Sequence, residues 1–146
     1  MLSVTCKAAI KAVIYIGSQK DANAKSSIKE IAQYIDENEH TVGKLLQKLV
    51  KENIINSVKG PNGGFYITDK QKEKKIIVIV HAIDGDEVFN QCGLGLSKCS
   101  ASHPCPIHDD YKVIRDSFKQ LCNRRKISEL CEAINDNLAY LINIQV

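Results

Sequence analysis

Apolar positions recur at helical spacing from the start of the chain. Cys6, Ala9, Ile10, Val13, Ile14 and Gly17 fall on one stripe, which predicts a helix over residues ~3–18. The polar run at 19–26 predicts a loop. A second stripe, Ile28, Ile31, Ala32 and Ile35, follows Ser27, whose hydroxyl suits an N-cap; Glu30, three residues on, completes a capping box. Asp36-Glu37-Asn38 breaks the pattern. Aspartate tolerates the left-handed backbone of a tight turn, and Asn38 suits the N-cap of a third helix. Val42, Leu45, Leu46, Leu49 and Val50 give that helix its buried face. Two short helices around a brief turn are a helix-turn-helix. The pattern then turns strand-like at Ile54 to Val58 and again at Phe65-Tyr66-Ile67, around the turn-rich Gly60-Pro61-Asn62-Gly63-Gly64. This is a hairpin directly after the third helix, which makes it a wing.

Beyond the wing, the β-branched run Ile76 to Val80 has no decisive period, and the lysines before it favour one helix over ~69–83. From Asp84 to Pro104 no period survives, and the stretch reads as a loop. An irregular loop of that length in a small chain is usually functional. Pro106 suits the first turn of another helix, with Asp109 and Asp110 near its positive end. Ile107, Tyr111, Ile114, Phe118 and Leu121 form a heptad seam along it, and Arg124, Arg125 and Lys126 close it. A last helix carries Leu130, Ile134, Leu138, Leu141 and Ile142. The expected fold is mostly α with a small β-hairpin: a winged helix-turn-helix with a long dimerisation helix. The expected division is a DNA-binding domain at 1–83, a cysteine-rich loop at 84–105, and the dimerisation and last helices at 106–146.

Charge sharpens this picture. The first 80 residues carry 13 Lys/Arg against 8 Asp/Glu, and the remainder 7 against 9, so the basic half coincides with the helix-turn-helix and wing. No apolar stretch is long enough to span a membrane, and Lys7 and Lys11 interrupt what would be the core of a signal peptide. The expected compartment is the cytoplasm, where six cysteines are thiols or metal ligands rather than a disulfide framework. There is no phosphate-binding loop and no nucleophile–base pair, so an enzyme is not expected.

A helix reads DNA when its exposed N-terminal residues reach base edges in the major groove. Glu39, His40, Thr41, Lys44 and Lys48 occupy such positions. Ser27 at the start of the preceding helix, and Lys59 and Asn62 at the wing tip, suit phosphates or the minor groove. The segment from Ile28 to Ile67 resembles the Rrf-two family of winged-helix transcriptional regulators, of IscR and NsrR type. The carrying residues are Ile31-Ala32, Leu45 to Leu49 and above all Val58-Lys59-Gly60-Pro61-Asn62-Gly63-Gly64-Phe65. The resemblance extends over nearly the whole chain. It implies a homodimer bound to a near-palindromic double-stranded operator, mostly as a repressor; the seam at 107–121 supports dimerisation independently.

Cys92, Cys99, Cys105 and His108 fall within 17 positions of that loop and the helix start after it. Thiolates, with histidine as an occasional substitute, are the natural ligands of iron–sulfur clusters. Zinc on three cysteines and a histidine is a second reading, although structural zinc sites use tighter Cys-x2–4-Cys pairs than any here. Metal-free thiol redox sensing and inert thiols of a purely structural loop are the others. The resemblance implies a cluster, since cluster-binding relatives carry three cysteines in this loop and the IscR type places a histidine three residues after the third. Two departures matter. The first gap is six residues instead of the family's five, which leaves the cluster geometry open. The position where NsrR-like relatives draw an acidic ligand from the partner's first helix falls near Lys7, which favours His108 as fourth ligand and a two-iron two-sulfur over a four-iron four-sulfur cluster. Such a sensor would respond to cluster supply, nitric oxide or redox state. His103 is a reserve ligand. Cys6, Cys122 and Cys131 lie in helical patterns and read as buried apolar residues, with Cys6 kept as a possible ligand lent to a partner subunit.

Overall fold

A computed structural model describes residues 1–21 and 23–143. The chain forms α1 (Val4–Gly17), α2 (Ile28–Ile35), α3 (Glu39–Lys51), β1 (Asn56–Val58), β2 (Gly64–Tyr66), α4 (Asp69–Lys72), α5 (Ile77–Asp84), α6 (Glu87–Asn90), α7 (His108–Arg124) and α8 (Ile127–Asn135). The strands pair antiparallel, with Ser57 opposite Phe65. α1 is the central element: α2, α3, α5 and α8 all pack against it. Its buried residues include Ala8, Ala9, Ala12 and Gly17, small enough for neighbouring helices to come close. At Gly17 an added Cβ would stand 2.6 Å from the Cys131 sulfur on α8. Among the described residues no helix is long and apolar enough to cross a membrane.

The helix-turn-helix forms as its capping residues dictate. The Ser27 hydroxyl accepts the Glu30 N–H at 3.1 Å, one half of the expected capping box. Asp36 takes the left-handed conformation (φ 57°), and Asn38 accepts the N–H groups of His40 and Thr41 at 2.8 and 3.3 Å. Among the described residues the other two non-glycines with positive φ, Asn53 and Asn137, do the same work after α3 and α8. At Asn137 the Leu138 N–H reaches back to the Ala133 carbonyl (2.9 Å) and the Asn137 N–H to Ile134 (3.1 Å), which is a Schellman motif.

The wing depends on glycines. A Cβ on Gly63 would lie 2.0 Å from the Val58 carbonyl oxygen; one on Gly64 (φ 142°) would lie 2.8 Å from that of Ser26. Ser26 exchanges two backbone hydrogen bonds with Phe65, at 2.8 and 2.9 Å, so the segment before α2 is clamped to the wing. Buried Gln71 of α4 adds a second clamp. Its side chain accepts from the Asn56 amide at 2.9 Å and donates to the Asn53 carbonyl at 3.1 Å.

Three expectations require correction. The single helix over 69–83 is two, α4 and α5. Between them the Ile76 N–H bonds to the Arg125 carbonyl (2.9 Å) and the Ile127 N–H to that of Lys74 (3.0 Å), so a tertiary bridge takes the backbone groups a continuous helix would use. The 84–104 loop contains α6, whose Val88 and Phe89 are buried. The last helix stops at Asn135, and Leu138 and Ile142 lie beyond it, exposed, because the left-handed Asn137 turns the chain away.

Replacing Gly17 with Ala forces a side chain into the α1–α8 contact and is expected to destabilise by about 1–3 kcal/mol. Urea unfolding measures this, and adding Cys131→Ala should recover most of the loss. No recovery in the double variant contradicts the close approach as the cause.

Candidate functional site

Two sets of residues stand out. The first is a polar face built by α3, the start of α2 and the wing. Glu39, His40, Thr41, Lys44 and Lys48 are all exposed on α3, and Lys59 and Asn62 are exposed at the wing tip. Ser27 is half-buried, held beside the wing by the Ser26–Phe65 pairing. A groove of about 390 Å³ runs along the start of α3, lined by His40, Thr41, Lys44 and Lys48 with Ser3, Thr5 and Asp84 opposite. Asp84 accepts from both the backbone N–H and the hydroxyl of Ser3, which fixes the start of α1 against the end of α5 beside this face.

The second set is the cysteine loop and α7. Cys105 to His108 form a tight turn in which the His108 N–H bonds to the Cys105 carbonyl at 3.0 Å. Pro106 lies within that turn, just before α7 begins. His108 is only 7% exposed, and its Nδ1 lies 3.3 Å from the Cys99 sulfur. Cys92 and Cys105 are buried and Cys99 half-buried. The Leu94 N–H points at the Cys92 sulfur from 3.4 Å. That amide, with those of Leu96 and Gly95, holds the Cys92 thiol below its ordinary pKa, whereas burial pushes that of Cys105 up. Beside Cys92 and Cys99 lies a cavity of about 390 Å³, also lined by Glu87, Gly95 and Leu96.

Of the four expected donors, Cys99 lies against His108 and the Cys92 and Cys105 thiols face one another, while His103 is exposed. Among the described residues no group of three or more His, Cys, Asp or Glu side chains stands in metal-holding geometry. The donor set nevertheless fits a soft, thiolate-ligated group: three sulfurs, one imidazole, and backbone amides aimed at a sulfur. Cys6 is fully buried in the core, and burial together with Asp84 pushes its thiol up to about 12. Cys122 is likewise raised by burial, and burial pushes Cys131 up to about 11.

One residue at this centre is not apparent from the sequence. Arg115 is buried on α7; its Nη1 donates to the Gln91 carbonyl at 2.7 Å and to the Cys99 sulfur at 3.2 Å. His108, Arg115 and Cys122 form the buried stripe of α7 at seven-residue intervals. The heptad seam divides accordingly. Phe118 packs inward against Phe89 (ring centroids 5.7 Å), and the Tyr111 ring covers Gly93, where a Cβ would meet it at 2.7 Å. Ile107, Ile114 and Leu121 face outwards with Val113; Ile114 is 57% and Val113 65% exposed.

The Rrf2 family model, described as an iron-dependent transcriptional regulator, matches residues 2–133. The chain belongs to the Rrf2 family. As such it is a DNA-binding transcriptional regulator and not an enzyme. It is 26% identical over 115 residues to the HTH-type transcriptional regulator NsrR of Oceanobacillus iheyensis, covering 77% of this chain and 78% of that protein. Its fold matches that of CymR, the global cysteine regulator of B. subtilis (TM-score 0.71, 17% identity, 90% of this chain and 96% of that one). It also matches IscR of T. potens (TM-score 0.71, 15% identity, 96% and 92%). The fold is thus the expected winged helix-turn-helix, mostly helical with one small hairpin.

The exposure of Cys99, the lowered thiol of Cys92 and the burial of the helical cysteines set an order of reactivity. In metal-free protein at pH 8, iodoacetamide is expected to modify Cys99 and Cys92 well before Cys6, Cys122 and Cys131, as peptide mass spectrometry would read. Labelling of Cys6 as fast as Cys99 would contradict the burial described.

Proposed function

We propose that this Rrf2 regulator is a cytoplasmic homodimeric repressor whose operator affinity is set by an iron–sulfur cluster held by Cys92, Cys99, Cys105 and His108. The observation that carries this reading is the Cys99 sulfur against the His108 imidazole at 3.3 Å, where the loop holding buried Cys92 and Cys105 joins α7. The family's description as iron-dependent supports iron over zinc. A bound cluster would supply a centre that reacts with oxidants and nitric oxide, and with His108 as fourth ligand the two-iron two-sulfur form is favoured.

The chain's own residues supply the rest. Glu39, His40, Thr41 and Lys44 read base edges, while Ser27, Lys48, Lys59 and Asn62 hold phosphates or the minor groove. The outward stripe of Ile107, Val113, Ile114 and Leu121 pairs with its copy in a second subunit. An exposed apolar row of this kind on one helix is what a coiled-coil partner covers. A dimer sets the distance between its two recognition helices, and operator affinity requires that distance to match about one helical turn of DNA. A change in the loop that moves α7 changes that spacing, and with it affinity. On this reading residues 1–83 read DNA, 84–105 sense, and α7 relays.

A second reading rests on Cys99, which is half-buried between Arg115 and His108 and suits a metal-free redox thiol.

The test uses a duplex selected from a random-sequence pool by protein purified without oxygen. Loaded wild type should differ at least tenfold in affinity from chelator-treated wild type, and Cys92→Ala should match the chelator-treated form. Equal affinity in all three contradicts the cluster reading. If peroxide alone changes the affinity of metal-free protein, the thiol reading gains. Lys48→Ala and Lys59→Ala should each weaken binding in every form and lower the salt slope by about 1; unchanged slopes would remove those lysines from the interface.

A further inference from the structure

Arg115 poses an electrostatic problem. It is 6% exposed. Among the described residues its Nε is the buried side-chain nitrogen or oxygen without a hydrogen-bond partner, and no carboxylate lies within 4.0 Å of its guanidinium. A guanidinium does not lose its proton in a protein, so this is a buried positive charge. Burying a charge is strongly unfavourable unless an opposite charge answers it. The Gln91 carbonyl and a thiol sulfur are neutral acceptors and cannot do so. The surrounding acids are committed elsewhere or turned to water: Asp116 feels the Arg115 charge but is half-exposed and already pairs with Lys112 at 2.7 Å, Asp109 and Asp110 are exposed at the start of α7, and Glu87 is exposed on the rim of the cavity.

What does face the guanidinium is Cys99, which also touches His108, and Cys105 with Cys92 beside it lies near enough to feel the Cys99 charge. Cysteine ligates as the thiolate. A group held by three thiolates brings the negative charge that the arginine lacks. We infer that Arg115 is the counter-cation of the thiolate-ligated group at Cys92, Cys99 and Cys105, and that it ties the charge of that group to the position of α7. The inference rests on the cluster reading above and adds a residue and a mechanism to it.

The mechanism follows from where Arg115 sits. It lies on the same stripe as His108, two helical turns further along, and its other hydrogen bond grips the backbone just before Cys92. With the group present, α7 is drawn onto the loop by a charge pair in a dry setting. With the group lost, the guanidinium keeps no buried counter-charge, only the water-facing Asp116, and α7 and the loop must part enough to hydrate it. The group and the seating of α7 are thereby linked, and each stabilises the other.

The test reconstitutes wild type, Arg115→Met and Arg115→Lys with iron and sulfide without oxygen, and titrates each with dithionite in the presence of mediator dyes. A nearby cation stabilises the reduced, more negative cluster. Arg115→Met should therefore shift the one-electron equilibrium at least tenfold towards the oxidised cluster, a fall of about 59 mV. Arg115→Lys, which keeps the charge but not the fork, should stay close to wild type. A wild-type potential in Arg115→Met overturns the inference, since a merely structural arginine would alter occupancy alone. An equal fall in Arg115→Lys overturns it too, because geometry rather than charge would then be responsible. Should Arg115→Met retain no iron, retention decides: iron kept by the lysine variant supports the inference, and loss from both overturns it. Wild type that takes up no iron or sulfide removes the cluster reading and this inference together, whereas loaded wild type beside an unshifted Arg115→Met removes this inference alone.

Discussion

The close approach of other helices to α1 is the constraint on which the rest of the structure depends. Ala8, Ala9, Ala12 and Gly17 give α1 a thin profile, so α5 and α8 can sit against it while α2 and α3 occupy its other sides. Helices come nearest where the residues between them are small. Both ends of α7 are thereby referred to one helix. Its start is tied through the loop and α6 to α5, and its end passes directly into α8, which packs back on α1. The backbone bridge between 74–76 and 125–127 locks the second of these connections. A displacement of α7 at its loop end therefore bears on the same core that holds α3.

α7 itself reverses the usual logic of a surface helix, whose apolar stripe faces the core and whose polar side faces water. Its fully buried positions are His108, Arg115 and Cys122, flanked by the inward rings of Tyr111 and Phe118, and its outward side carries Ile107, Val113, Ile114 and Leu121. The buried His108 and Arg115 make sense if they face chemistry in the loop, and the exposed apolar side if it faces a second subunit. In the proposed account, one helix reports on the loop with one face and sets the geometry of the dimer with the other.

The helix-turn-helix and wing were legible because their signals are local. Ser27, Asp36 and Asn38 act on backbone groups within three or four residues, and the wing glycines are required by contacts at the wing itself and with the adjoining Ser26 segment. The end of α8 was masked because Leu138, Leu141 and Ile142 keep helical spacing after the left-handed Asn137 has stopped the helix. The break between α4 and α5 was not legible, since its cause is a partner segment some fifty residues away. At the site, residue type and spacing pointed to Cys92, Cys99, Cys105 and His108, and the structure sets Cys99 against His108. Arg115 was hidden because a charged residue in an amphipathic helix reads as solvated. Its one available signal was its place seven residues after His108. The seam drew Tyr111 and Phe118 into a single dimer face, whereas Gly93 and Phe89 claim their rings within the subunit.

The central claim is that the loop holds an iron–sulfur cluster at the point where it meets α7. Visible absorption of the protein purified without oxygen, with iron and acid-labile sulfide counted on the same sample, tests this most directly. The account predicts a coloured protein with iron and sulfide in equal amounts, bleached by dithionite, and a colourless Cys99→Ala variant. A colourless wild type that holds zinc or no metal would contradict it.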